Sequence, residues 1–388
     1  MSQNPLDGIE NLEELQDLKV AICHYWLVTW RGGEKVLAAL LKLFPKADIY
    51  TLFYSPSVCG PHLTGHQVYS SVLDRPGVRQ YYQKMFPLYP MGIKSLVLRD
   101  DYDLLISSES GPAKGIANPK NIPHLCYIHT PMRYCWVDRE SYLDRVPKKL
   151  RGLADNQFEK LKKWDLKTAG APDLYVANSQ NVAGRVQRFY DRDSEVCCPP
   201  IELDLFEKPQ AWDREGFYLS FGALTPYKRI DLLVEHFKQS GEPLKIIGDG
   251  PEKERLQAMA LPNISFTGSL DNEQLDTEVT GAKALIFPGE EDFGMIPLEV
   301  MARGIPVIAL AKGGALETVV ENKENPEASS GVFFANQTAA DLAEALEFFS
   351  SVKDRFDPGW IKAHARSFGE DRFLSCFSGK VNQLLQRP

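Results

Sequence analysis

The sequence predicts an α/β protein built from two doubly wound parallel sheets, each carrying helices on both faces. Short apolar runs alternate with helical patterns along the chain, the rhythm that builds βαβ units. At Pro199-Pro200 the rhythm stops and then starts again, which makes a second sheet. The length of 388 residues, 44% of them hydrophobic, exceeds one ordinary core and suits two domains of about 150 to 200 residues each.

In the first half, strands are expected at 20–23, 49–53, 104–106, 125–128 and 174–177. The first leads to His24 and the pair Gly32-Gly33, followed by the helical pattern Val36, Leu37, Leu40, Leu41, Phe44 that Pro45 ends. Those glycines either let the backbone approach a phosphate closely or simply form a tight turn. The stretch 75–99 interleaves Arg79, Lys84, Lys94 and Arg99 with Tyr81, Tyr82, Met85, Phe86, Leu88, Tyr89, Met91 and Ile93. It reads as a strip for an anionic membrane surface or as a helical excursion whose aromatics are core, and the second accounts better for the aromatics. Lys114 reads as the start of a solvated helix rather than as a cleft group. Asp101-Tyr102-Asp103 and Asp191-Arg192-Asp193 have the Asp-x-Asp pattern of metal ligands but read as strand-entry and turn residues.

In the second half, strands are expected at 217–221, 244–247, 264–266, 284–287, 307–310 and 332–334, and one helical stretch at 360–385. The boundary is placed at 198–202, where the proline pair removes two backbone donors. Lys228 follows a strand and precedes the helix that starts at Ile230, so its ammonium can meet charge that grows on a departing diphosphate. Glu291 hangs in a loop and Glu299 sits in the first turn of a helix, with Pro297 suited to that turn and Gly304 to the residue past its end. Between the two carboxylates, the amides of Phe293, Gly294 and Met295 form a positively polarised helix mouth suited to a diphosphate. Acceptors on both sides of an anion site suit a nucleotide sugar. His24, Gly32, His129, Gly222 and Glu291 all fall at predicted carboxyl ends of strands, where α/β sheets bind ligands.

The segment from Glu291 to Glu299 resembles the Glu-x7-Glu signature of family-4 retaining glycosyltransferases, which have the GT-B fold. His24-Tyr25-Trp26-Leu27 with Gly32-Gly33-Glu34-Lys35, Gly222-Ala223-Leu224-Thr225-Pro226-Tyr227-Lys228-Arg229 and Ile247-Gly248-Asp249-Gly250-Pro251-Glu252 follow in that family's order. Tyr127-Ile128-His129-Thr130-Pro131-Met132-Arg133-Tyr134 and Ala177-Asn178-Ser179 are similar to bacterial mannosyltransferases of surface-polysaccharide assembly, lipopolysaccharide included. The resemblance implies two Rossmann-like domains facing a central cleft: 1–200 for the acceptor, 201–360 for the nucleotide sugar, and 361–388 as helices crossing back to the first. It implies that Glu299 holds the ribose, that Glu291 and His129 contact the donor sugar, and that the loop amides face the phosphates. It also implies a hexosyltransferase without metal or cofactor, GDP-mannose being the favoured donor and a glycan or lipid-linked cell-envelope precursor the acceptor. Two positions depart from the family's pattern. Tyr25 stands where an aspartate is usual, and Ala223 where a basic residue is usual, with Arg229 either substituting for it or merely opening a helix. A nucleotide-sugar epimerase and a catalytically silent sugar-nucleotide-binding subunit remain as rivals.

Composition narrows the field further. A net charge of -8 argues against a general nucleic-acid binder. Seven cysteines without a Cys-x-x-Cys pair favour a reduced setting. Residues 1–17 are polar and acidic, and no run approaches the roughly 20 apolar residues needed to span a bilayer. A cytoplasmic enzyme is expected, in peripheral contact with the inner face of the plasma membrane through 75–99. Gly248-Asp249-Gly250 lacks the third glycine of a dinucleotide fingerprint, which argues against an oxidoreductase.

Overall fold

A computed structural model describes residues 4–99, 101–144, 146–208, 212 and 215–386. The chain divides into two compact units, one formed by residues up to 200 together with 370 onward, the other by 201–369.

The first unit is a seven-stranded sheet in the order β3-β2-β1-β4-β5-β6-β7. Its strands are β1 (Val20–His24), β2 (Asp48–Thr51), β3 (Val68–Ser70), β4 (Leu104–Glu109), β5 (His124–Ile128), β6 (Leu174–Ala177) and β7 (Glu195–Val196), and every pairing is parallel. Residues of β1, β4, β5 and β6 are buried throughout, as strands covered on both faces must be. The helix Gly32–Leu43 follows β1 and buries Val36, Leu37, Leu40 and Leu41.

The second unit is a six-stranded parallel sheet in the order β10-β9-β8-β11-β12-β13. Its strands are β8 (Phe217–Phe221), β9 (Leu244–Ile247), β10 (Ile264–Gly268), β11 (Ala282–Phe287), β12 (Val307–Leu310) and β13 (Gly331–Phe334). In each sheet the first strand of the unit lies between the second and the fourth. Loops leave those central neighbours in opposite directions, so a crevice opens at the carboxyl ends of β1 and β4, and again at those of β8 and β11.

The short edge strands β3 and β7 escape the sequence reading. They are only partly covered, so neither shows the apolar run that marks a central strand. The expected helix at 360–385 is two helices, Pro358–Arg366 and Glu370–Leu385, broken at Ser367-Phe368-Gly369. Return to the first unit therefore begins at 370 rather than at 361. Phe373, Leu374, Phe377, Val381 and Leu384 join the core formed by Val20, Ile22, Val36 and Tyr127, and the Lys42 ammonium meets Glu370 at 2.6 Å.

Candidate functional site

In the second unit the loop after β8 and the loop after β11 bring Lys228 and Glu291 together, Nζ lying 2.9 Å from Oε1. Their side chains are 13% and 20% exposed, so the pair is sheltered yet reachable. The turn after β8 fits because nearby residues lack side chains: a Cβ on Gly248, where φ is +136°, would stand 1.9 Å from the Gly222 carbonyl oxygen. Glu291 is fixed through its backbone, its carbonyl accepting from the Gly314 N–H at 2.9 Å. Gly294, at φ +92°, turns the chain into the helix Met295–Met301, whose first amides lack intrahelical partners. Phe293 is buried against the Phe368 ring and anchors that turn. Glu299 is half-buried on this helix, and its carbonyl accepts from Nη1 of the buried Arg303 at 2.6 Å. Arg229 occupies the left-handed region at φ +53°, its guanidinium held on Asp231 with Nε to Oδ1 at 3.1 Å and Nη2 to Oδ2 at 3.2 Å.

In the first unit the carboxyl ends of β1, β4 and β5 place His24, Ser108 and His129 in line. Ser108 Oγ lies 3.0 Å from His24 Nδ1 and 3.0 Å from His129 Nε2. His24 Nε2 lies 3.8 Å from Glu34 Oε1. The His129 N–H donates to the Glu109 carbonyl at 2.7 Å, which fixes the loop after β5 on the end of β4. Burial, then the neighbouring His24, push the His129 imidazole down to about 3, so it is neutral at neutral pH. Tyr25 lies against His24 with ring centroids 4.3 Å apart. Gly33 makes room for it: a Cβ there would stand 2.5 Å from the Tyr25 hydroxyl. This close packing gives Gly33 a reason of its own within the fold.

Lys114 is not solvated. It is fully buried, with Nζ 3.3 Å from Glu109 Oε1 and in closer contact with Asp165 Oδ1, and Asp165 Oδ2 also accepts from Trp136 Nε1 and the Tyr190 hydroxyl, both at 2.7 Å. Burial acts against the ammonium, but Asp165 and Glu109 outweigh it and the net shift is upward. Burial pushes the Glu109 carboxyl up to about 7 against the opposing pull of Lys114. Asp165 stands 51 residues beyond Lys114, so no local pattern announces this cluster.

The two readings of 75–99 divide between its faces. Tyr82, Met85, Phe86, Tyr89 and Ile93 pack inward. Tyr81, Leu88, Met91 and Val97 are exposed, along with Lys84, Lys94 and Arg99. Asp101 pairs with Lys19, and Asp191 caps a helix end in the left-handed region. Among the described residues no helix is long and apolar enough to cross a membrane.

Two family models match consecutive parts of the chain: "Glycosyltransferase Family 4" over residues 30–205 and "Glycosyl transferases group 1" over 203–357. The chain belongs to the family-4-like glycosyltransferases of the GT-B fold. This glycosyltransferase is similar to a GDP-mannose-dependent alpha-mannosyltransferase of Corynebacterium glutamicum, 34% identical over 116 residues, 29% of this chain and 28% of that protein. It is also similar to the alpha-1,3/1,6-mannosyltransferase ALG2 of Kluyveromyces lactis, 26% identical over 277 residues, 56% of this chain and 55% of that one. The matched stretches thus span about a quarter to a half of these curated relatives. Among solved structures, Anabaena HepE in complex with UDP superposes with a TM-score of 0.68 at 16% identity, covering 94% of this chain and 100% of HepE. Sucrose-phosphate synthase from Thermosynechococcus elongatus gives 0.65 at 18% identity, covering 94% and 98%. At such identities the likeness is one of fold.

Within this glycosyltransferase, Lys228 and Glu291 of the sequence-derived set touch, Phe293, Gly294, Met295 and Glu299 follow on the same loop and helix, and Arg229 adjoins Lys228 but is tied to Asp231. Gly32, Gly33 and His129 stand in the other unit. Ser108, Glu34 and Arg303 escaped the sequence reading. Ser108 could have been found from its place at the end of a strand between two histidine-bearing strand ends.

Proposed function

We propose that this chain is a retaining glycosyltransferase that moves a hexose, mannose by preference, from a nucleoside diphosphate sugar to a glycan or lipid-linked acceptor of cell-envelope polysaccharide biosynthesis. The observation that carries the reading is the Lys228–Glu291 pair, 2.9 Å apart beside the amide-rich turn at the crevice of the second sheet. An ammonium and first-turn amides stabilise negative charge as it grows on a leaving diphosphate, without a metal ion. Glu291 holds the ammonium until the phosphate competes for it, then turns to the sugar hydroxyls, while Glu299 takes the ribose. A neutral His129, in the first unit, can accept or donate a hydrogen bond to a sugar hydroxyl without bringing a charge of its own. The acceptor hydroxyl attacks on the face from which the diphosphate departs, and a departing phosphate oxygen takes its proton. The preference for mannose draws on the printed names of the two mannosyltransferase relatives.

The exposed basic and apolar face of 75–99 supports peripheral contact with an anionic membrane at the cytosolic side, each basic residue near the surface contributing about 1 kcal/mol. Cosedimentation with anionic liposomes is expected to fall when Lys84 and Lys94 are replaced by Glu, and unchanged binding would remove this part.

The test of the donor site is thermal unfolding without metal in the presence of GDP, UDP, ADP and NAD, then GDP-mannose and UDP-glucose. A ligand at a hundred times its Kd adds about 2.7 kcal/mol. One nucleoside diphosphate should stabilise the protein, with the effect lost in Glu299→Ala. No shift from any of them would overturn the reading, and binding without sugar transfer or donor hydrolysis would make the chain a silent binder.

A further inference from the structure

Behind His129 runs a line of side chains that closes in the core of the first unit. Glu34, His24 and Ser108 are buried, and His129 is the partly exposed end of the line. Ser108 Oγ lies 3.0 Å from both His24 Nδ1 and His129 Nε2. One hydroxyl carries one proton, so between two imidazoles it donates to one and accepts from the other. The carboxylate decides which. Among the described residues His24 Nε2 has no hydrogen-bond partner; it faces Glu34 Oε1 at 3.8 Å, while the other Glu34 oxygen accepts from the Arg31 N–H at 2.8 Å. In a buried setting a bare nitrogen lone pair facing a carboxylate is repelled, whereas an N–H facing it is attracted. The His24 proton therefore sits on Nε2, and its Nδ1 accepts from the Ser108 hydroxyl. The Ser108 oxygen then accepts from an N–H on His129 Nε2, which leaves His129 Nδ1 bare.

We propose that Glu34, His24 and Ser108 form a positioning relay that holds His129 as the Nε2–H tautomer, so that its Nδ1 presents a hydrogen-bond acceptor to a hydroxyl of the sugar. The proposal rests on the reading of His129 as a sugar contact and deepens it: this ring accepts from the sugar rather than donating to it. Tyr25, packed against His24 with its ring tilted by 32°, shields the middle of the relay from water. Ser108 and Glu34 act only through His129, which makes them positioning residues.

Long-range proton–nitrogen NMR on the full-length chain with nitrogen-15-labelled histidine tests this directly, with the His129 signals identified by their loss in His129→Gln. At pH 7 the wild-type ring should show the pattern of a neutral Nε2–H tautomer. Ser108→Ala should move it to a mixture of tautomers and lower kcat for sugar transfer about tenfold, the worth of one hydrogen bond. Ser108→Thr, which keeps the hydroxyl, should restore both, and Glu34→Gln should shift the tautomer without touching His129. A wild-type Nδ1–H tautomer, or an unchanged ring in a folded Ser108→Ala, overturns the relay. If the tautomer responds as expected while transfer is unaffected, the relay's role falls together with the sugar contact of His129. Nucleotide-induced stabilisation, which depends on the second unit, reports separately on the donor site.

Discussion

The two units carry the same kind of sheet, yet they handle charge in opposite ways. In the second, the crevice between β8 and β11 exposes a lysine and a glutamate at 13% and 20%, beside first-turn amides that lack intrahelical partners. In the first, the lysine after β4 is fully buried between two carboxylates, and what reaches the surface nearby is a neutral imidazole. Charge kept within reach suits an anionic ligand. Charge that is sealed and compensated stabilises a scaffold, which then presents uncharged hydrogen-bonding groups to a hydroxylated one.

The largest expected effect separates the two lysines. Lys114→Met leaves Glu109 and Asp165 buried without their cation and should cost about 3 to 5 kcal/mol in denaturant unfolding. Lys228→Met removes a partly exposed pair and should cost under about 1 kcal/mol, yet abolish stabilisation by a nucleoside diphosphate. Equal losses would erase the distinction. Next come the glycines. Gly248→Ala forces a Cβ onto a carbonyl oxygen at 1.9 Å in a left-handed conformation, so a loss of about 3 kcal/mol is expected with no simple rescue. Gly33→Ala meets only the Tyr25 hydroxyl, with the ring carbon behind it at 3.4 Å. It should cost about 1 to 2 kcal/mol, most of which returns in Gly33→Ala/Tyr25→Phe.

A smaller effect lies in pH. The Glu109 carboxyl is held up at about 7 in the folded state, so the fold binds its proton more tightly than the unfolded chain does. Its contribution is complete below the unfolded value of about 4.3 and is lost as pH rises through 7, at no more than about 1.4 kcal/mol per pH unit. Glu109→Gln should flatten that slope in thermal melts between pH 5 and 8, and an unchanged slope would place the titration elsewhere. The smallest change is expected from Arg229→Ala. Its guanidinium is already committed to Asp231, so nucleotide affinity should move by less than about threefold, and a larger loss would make Arg229 a replacement for the basic group missing at Ala223.

The central strands and the turn from Glu291 to Glu299 were legible in the sequence because each depends on neighbours a few residues away: an apolar run, a proline in a first turn, a glycine just past the helix end. Edge strands β3 and β7 were not, since a half-covered strand needs no apolar run. Nor was the state of Lys114, because its partner Asp165 arrives from a helix some fifty residues on. Ser108 was missed for a similar reason: its place at the end of a strand was a signal, but that β4 lies between the two histidine-bearing strands is set by the sheet order and not by its sequence neighbours.

The helix Glu370–Leu385 has a consequence for how the molecule is made. Five of its side chains complete a core whose other members lie among the first two hundred residues, so that core stays open while the ribosome is still copying the middle of the message. Residues 201–369 are contiguous and lack no distant piece. They can fold as they emerge, ahead of the segment that precedes them, and a chain without the helix Glu370–Leu385 would fail first at its beginning.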